Sequence, residues 1–237
     1  MIEINKIDKY FGQIKILNDC SLTIKNGDFI EIVGAKGAGK SALMKMIAGF
    51  IKPDHGYVLI DHKLPYKQIL NIGYVSKDIN WYKNLTVEEN ILLSAKKHEI
   101  SMDEAKYITA KILEFIQMTD MKNSLAGELS AEMKFKLSLA VIMVYKPMIL
   151  LIEIPRELSS NKHFKDELWS LLEKINEYNV TIIVSTSCLD KTKRCKKIVL
   201  MDKGKILLID SWHNLKNKIE HENFLFKDLL SKLEDIT

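Results

Sequence analysis

Cysteine is sparse in this sequence: three in 237 residues, at 20, 188 and 195. The number is odd and no two stand in a C-x-x-C pair, which excludes a disulfide framework or a zinc site built on paired cysteines. A reducing setting is the expectation that follows. Proline is sparse too, at four, and no linker, internal repeat or low-complexity segment divides the chain. One sizeable domain with ample core material is expected. Long apolar runs are missing. The longest, LSLAVIMV at 137–144 and MILLI at 148–152, fall far short of the ~18 residues a membrane-spanning helix needs. The opening MIEINKIDKY carries charges throughout and does not read as a secretory signal. Charge of one sign is lacking as well: 35 Lys and Arg against 31 Asp and Glu give a net +4. That balance does not argue for nucleic acid, which asks for basic charge gathered on one face.

The elements are legible from periodicity. DFIEIV (28–33) reads as a strand running into a Gly-rich turn, and KSALMKMIAGF as a helix with Leu43, Met46, Ile47 and Phe50 at helical spacing. GYVLID (56–61) and NIGYVS (71–76) are further strands. Thr86 with Glu89, and Ser101 with Glu104, read as two capping boxes, each opening an amphipathic helix. A third helix starts at Ser130 with Met133, Leu137, Ala140, Val141 and Val144 on one face. MILLI is a continuous apolar strand of the kind found inside a parallel sheet. A helix over 162–178, the strand VTIIVS (180–185) and the hairpin-like KIVLMDKGKILLID follow. The run Phe224, Leu225, Leu229, Leu230, Leu233 predicts a C-terminal amphipathic helix. Strands alternate with helices on both sides of an all-helical insert, which predicts an α/β core plus a helical subdomain.

The chemistry is concentrated in GAKGAGKS, Gly34 to Ser41, which matches G-x-x-x-x-G-K-[ST] with a strand before and a helix after. The glycines allow turn conformations in which successive N–H groups converge on phosphate oxygens. The helix N-terminus adds its positive end. Lys40 reaches the β- and γ-phosphates and the Ser41 hydroxyl holds Mg²⁺. The motif predicts binding of a nucleoside triphosphate; it does not by itself predict hydrolysis.

With that loop placed, the other landmarks follow the order of an ABC-transporter nucleotide-binding domain. YFGQIKILNDCSLTIKNGDFIEIVGAKGAGKSALMKMIAGFIKPDHGYVLID resembles that family's opening almost phrase by phrase. The resemblance continues through NIGYVS…LTVEENI, GELSAEMKFKLSLAVIMVYKPMILLIEIP and TIIVSTSCLD…KIVLMDKGKI, over about residues 1–210. It implies that 1–237 is one nucleotide-binding domain. The implied fold is an α/β P-loop NTPase core with a mostly parallel sheet, an N-terminal antiparallel β subdomain, an α-helical subdomain at about 84–145 and a C-terminal helical extension at about 211–237. It implies ATP and Mg²⁺ as ligands. Tyr10 would stack on adenine. Gly34, Lys36, Gly37, Ala38, Gly39, Lys40, Ser41 and Ala42 would surround the phosphates, with Ser41 and Glu153 around Mg²⁺. The implied partners are an ABC transmembrane subunit and a second nucleotide-binding domain, in a homo- or heterodimer. The implied place is cytoplasmic, peripheral on the inner face of the cell membrane.

The departures from the family pattern fall in five motifs. Lys77 stands where the glutamine that couples nucleotide to the transmembrane partner is expected. The signature, usually L-S-G-G-Q, reads Leu129, Ser130, Ala131, Glu132, Met133. The strand end Asp-Glu-Pro reads Glu153, Ile154, Pro155. Ser187 replaces the switch histidine, and Leu158 to Asn161 lacks the aspartate of S-G-L-D. Glu153 for aspartate is mild, since a longer carboxylate still meets Mg²⁺ or its water. Ile154 for glutamate is severe, because isoleucine neither accepts a proton nor orients water, and loss of a general base costs roughly 10²–10⁴ in rate. Glu132 sets a carboxylate where a partner's γ-phosphate is expected, which is repulsive. Together these predict a domain that binds ATP and hydrolyses it weakly or not at all, with no catalytic residue assigned. Two alternatives stay open: an active ATPase with a substitute acid, Glu157 being the nearest, and a non-transport regulatory module.

The basic run KTKRCKK (191–197) reads as a solvated helix face; the alternative is a contact for an acidic partner or anionic lipid. Trp81 and Tyr82 sit where the family grips a transmembrane coupling helix, and ordinary loop packing explains them equally well.

Overall fold

The computed structural model describes residues 1–76, 81–159, 161–187 and 194–215. Lys77, Cys188, residues 191–193 of the basic run, and the expected C-terminal helix at Phe224–Leu233 lie outside the described residues. So does all of the proposed extension beyond Leu215.

Strands β1 (Ile2–Phe11) and β2 (Ile14–Ile24) open the chain as an antiparallel hairpin. β3 (Phe29–Val33) is buried along its whole length and leads into helix α1 (Lys40–Ile47). β4 (His55–Ile60) returns to the far side of β1, closing a three-stranded sheet in the order β2–β1–β4. β5 (Ile72–Val75) is followed by the helical insert: α2 (Val87–Lys97), α3 (Met102–Phe115) and α4 (Ala131–Met143). Then come β6 (Ile149–Glu153), the short α5 (Arg156–Ser159), α6 (Lys162–Asn176), β7 (Thr181–Thr186), and the hairpin of β8 (Lys197–Asp202) and β9 (Lys205–Asp210). The second sheet has six strands in the order β5–β6–β7–β3–β8–β9, parallel except for β9. The expected architecture is therefore present: an antiparallel sheet, a mostly parallel sheet and helices.

Alternation along the central strands assigns each side chain to a layer. Ile30 and Ile32 of β3, Ile149 and Leu151 of β6, and Leu43, Met46 and Ile47 of α1 share one buried cluster with the antiparallel sheet. Phe29 of β3, Leu150 and Ile152 of β6, and Phe164, Leu168 and Trp169 of α6 share the other with the helical insert. There the Phe29 and Trp169 rings are 5.2 Å apart. α4 is buried on more than the single face its spacing predicts. Phe135, Leu139 and Ile142 are buried along with Leu137 and Ala140.

Local signals correct two expectations. Helix α1 ends at Ile47, and Gly49 at φ +81° turns the chain. Phe50 therefore falls off the helical face; it is 58% exposed and lies 5.6 Å from the Tyr74 ring. The Thr86–Glu89 capping box is complete in both directions, 3.1 Å and 2.7 Å. At Ser101 only half of a box forms: Ser101 Oγ accepts from the Glu104 N–H at 3.4 Å, and the Glu104 carboxylate lies 3.7 Å from Lys146 instead.

Candidate nucleotide site

The Gly-rich turn sits where β3 leaves the sheet and α1 begins. Gly37 and Gly39 have φ of +88° and +99°, the left-handed region that side chains disfavour. At Gly39 the packing is decisive as well: a Cβ there would lie 2.8 Å from Leu17 Cδ2 and 2.9 Å from the Ile16 carbonyl oxygen. Gly39 is also the N-cap of α1, and no side chain caps the helix or places an acid in its first turn. The first-turn N–H groups and the positive end of the helix thus face the loop without a built-in anion. Lys40 is 9% exposed, and its ammonium donates to the carbonyls of Gly34 (2.6 Å) and Ala35 (3.0 Å), inside the curve of the loop. Ala38 and Ala42 are buried beneath, and Lys36 is exposed on the outer side.

The second half of the site is the end of β6. In phase with Ile149 and Leu151, Glu153 turns toward α1. It is 2% exposed. The Ser41 hydroxyl donates to its Oε2 at 2.7 Å, and the Tyr74 hydroxyl of β5 donates to its other oxygen. A hydroxyl and a carboxylate side by side are hard oxygen donors of the kind Mg²⁺ takes. Among the described residues no group of three or more His, Cys, Asp or Glu forms a metal cage. Such an ion would therefore rest on Ser41, Glu153, phosphate oxygens and water.

Ile154 falls in phase with Leu150 and Ile152. It is 3% exposed and belongs to the helical-side cluster with Leu158 and Phe164. Its N–H donates to the Ser185 carbonyl at 3.1 Å. Glu157 is exposed in α5. Ser187 follows β7 half-buried. At the start of α4, Ser130 caps its own helix, its Oγ accepting from the Met133 N–H at 3.2 Å. The Glu132 carboxylate accepts from Asn161 Nδ2 at 2.6 Å, and Asn161 in turn caps α6.

Tyr10, at the end of β1, is 38% exposed, and its N–H donates to Asp54 Oδ2 at 2.6 Å. That bond, with Lys9 at 3.0 Å, holds the Asp54 carboxyl below its usual range. The structure thus sets two hydrogen-bonded groups on consecutive residues of α1, Lys40 with Gly34 and Ala35 and Ser41 with Glu153, while Tyr10 lies on the antiparallel sheet.

Two side chains escaped the sequence reading. Tyr74 was visible only as part of a strand. Glu31, 1% exposed on β3, accepts from Thr186 Oγ1 at 3.0 Å; its signal was a charge inside an otherwise apolar strand. The basic run reads differently in the structure: residues 194–196 are not helical, and Arg194 donates to the Asp166 carbonyl and to Ser170 Oγ on α6. Lys197 pairs with Asp28 at 3.2 Å. Trp81 packs against the core with Lys134 over its ring, and exposed Tyr82 carries Lys97 at 5.0 Å.

The sequence profile of the ABC transporter family matches residues 17–155, from β2 through the loop to Pro155. The chain belongs to the ABC transporter family. It is an ATP-binding domain of that family. Among curated proteins it is similar to the probable multidrug ABC transporter ATP-binding protein YbhF of Escherichia coli, 35% identical over 193 residues. That match covers 80% of this chain and 33% of YbhF, so the chain spans about a third of that relative's length. It is similar to the methionine import ATP-binding protein MetN of Legionella pneumophila, 32% identical over 230 residues, covering 93% of this chain and 67% of MetN. Among solved structures, cbiO1 from Clostridium perfringens, part of an ABC transporter complex, superposes with a TM-score of 0.83 at 22% identity. The match covers 92% of this chain and 91% of that one, and shows the shared fold. A dimeric bacterial ABC transporter cassette superposes at 0.80 with 25% identity, over 90% of this chain and 99% of that one. No helix among the described residues is long and apolar enough to cross a membrane.

Proposed function

We propose that this chain is the ATP-binding subunit of an ABC transporter that binds ATP with Mg²⁺ and hydrolyses it weakly or not at all. The observation that carries this is the contrast at the ends of β3 and β6: Lys40 donates to the loop carbonyls and Ser41 donates to buried Glu153, while the next residue, Ile154, is packed 3% exposed among core side chains. Gly34 to Ala42 would hold the phosphates through backbone N–H groups, the α1 N-terminus and the Lys40 ammonium. Tyr10 would carry adenine on its ring. Ser41 and Glu153 would hold Mg²⁺, whose charge offsets that of the phosphates.

Nothing at position 154 can take a proton from water, and a missing general base lowers turnover by roughly 10²–10⁴. Glu132 adds a second brake. Its carboxylate stands in the first turn of α4, where a partner's phosphate would otherwise meet the helix N-terminus. The subunit would pair with itself or with an intact homologue, and with a transmembrane partner at the inner face of the cell membrane. ATP would act there as a ligand that favours the closed pair by its differential affinity for the two states.

The test is calorimetric ATP binding alongside phosphate release on the same sample, with Lys40→Ala as control. The reading expects Mg²⁺-dependent binding that the control loses, and release no faster than the control. Brisk release by wild type that disappears in Glu157→Gln would instead make Glu157 the substitute acid.

A further inference from the structure

The hairpin tip that carries Tyr10 also carries Lys15. Tyr10 and Lys15 are cross-strand partners of β1 and β2. The Lys15 ammonium lies 5.5 Å from the Tyr10 ring centroid. It is tied there by Asp8, whose Oδ2 is 2.9 Å away. Asp8 is itself fixed by the Asp19 N–H at 2.8 Å. That backbone bond, followed by Lys15, holds the Asp8 carboxyl below its ordinary range, and Asp8 in turn raises Lys15 above its own. Both groups are therefore charged at neutral pH.

The backbone of Tyr10 is pinned separately by Asp54. What remains adjustable is the ring, and an ammonium over one face is drawn to its negative quadrupole. The next residue along β2, Ile16, presses its carbonyl against Gly39 of the phosphate loop. One strand segment thus supports the loop and holds the ring.

We infer that Lys15 is a positioning residue for the nucleotide: it covers one face of Tyr10, holds the ring at a fixed angle and leaves the opposite face for the base. This rests on the phosphate-loop reading above. It separates Lys15 from the loop's own cations, because its effect passes through the ring and needs a base to be felt.

The experiment measures the affinities of ATP and of inorganic tripolyphosphate for the full chain by calorimetry. The proteins are wild type, Lys15→Ala, Lys15→Arg, Tyr10→Ala and the double variant Lys15→Ala/Tyr10→Ala. An exposed cation–π contact corresponds to about a threefold change in affinity. Lys15→Ala is expected to weaken ATP by that factor and leave tripolyphosphate unchanged, with Lys15→Arg restoring ATP. In the Tyr10→Ala background, Lys15→Ala should change nothing further. The idea is overturned if tripolyphosphate weakens as much as ATP, which would make Lys15 a phosphate-binding charge. It is overturned equally if the loss persists without Tyr10, or if ATP affinity does not move while tripolyphosphate still binds. Wild type that binds neither compound would sink the loop reading, and this one with it.

Discussion

Two parallel strands of one sheet, β3 and β6, flank β7 and end in different ways. β3 runs into a loop whose grip comes mostly from backbone: left-handed glycines, a helix end without a side-chain cap, and a lysine folded back onto carbonyls. β6 runs into a stretch whose chemistry depends on two side chains of opposite phase, Glu153 toward α1 and Ile154 toward the helical core. The lesson concerns robustness. Main-chain N–H groups are present whatever side chains they carry, whereas activation of water depends on one side chain and is removed by one substitution.

Substitutions can break this contrast, and the largest effect is expected at the β6 end. Ile154→Ala removes buried apolar volume and should cost about 3 kcal/mol of stability in urea unfolding, with ATP affinity unchanged once folded. A loss under 1 kcal/mol would mean the residue is not core. Next comes Lys40→Ala, which should weaken ATP by roughly a hundredfold in calorimetry, the scale of losing charge-assisted bonds to phosphate. An unchanged affinity would mean that the loop does not grip phosphate.

Glu153→Gln should sharpen the comparison by separating metal from phosphate. Affinity in Mg²⁺ is expected to drop about tenfold, one charge-assisted contact, while affinity in EDTA does not fall. The smallest effect lies outside both strand ends. His98 stacks on Tyr145 at 3.9 Å, and burial lowers its pKa below 6.5, with Lys97 adding to the shift. Below that pH the unfolded chain takes up a proton that the folded chain resists, so stability should decline as pH falls below about 6.5 and stay level above it. His98→Phe should flatten that slope in melting experiments.

Much of this was legible from the chain alone, and the reason is period. Continuous apolar stretches such as MILLI are forced into the sheet interior, and the loop motif carries its own strand and helix. Spacing alone carries the helix of Leu43 one turn too far, because Phe50 fits the period and only Gly49 shows where the chain turns. The second capping box failed because Lys146, more than 40 residues away, competes for Glu104. Tyr74 and Glu31 were missed for the same kind of reason. Their partners, Glu153 and Thr186, come from other strands, and sequence spacing says nothing about which strands lie side by side.

One contact has a mechanical consequence. The turn between β8 and β9 places Gly204 against the back of the phosphate loop: its N–H donates to the Ala38 carbonyl at 3.1 Å, and its carbonyl accepts from the Asn18 N–H at 2.8 Å. Loop, first hairpin and last hairpin are thus riveted at a single point. Bulk added there, on the side away from any ligand, would pry the rivet open. The chain would then lose its hold on the triphosphate tail with every residue that touches the tail still in place.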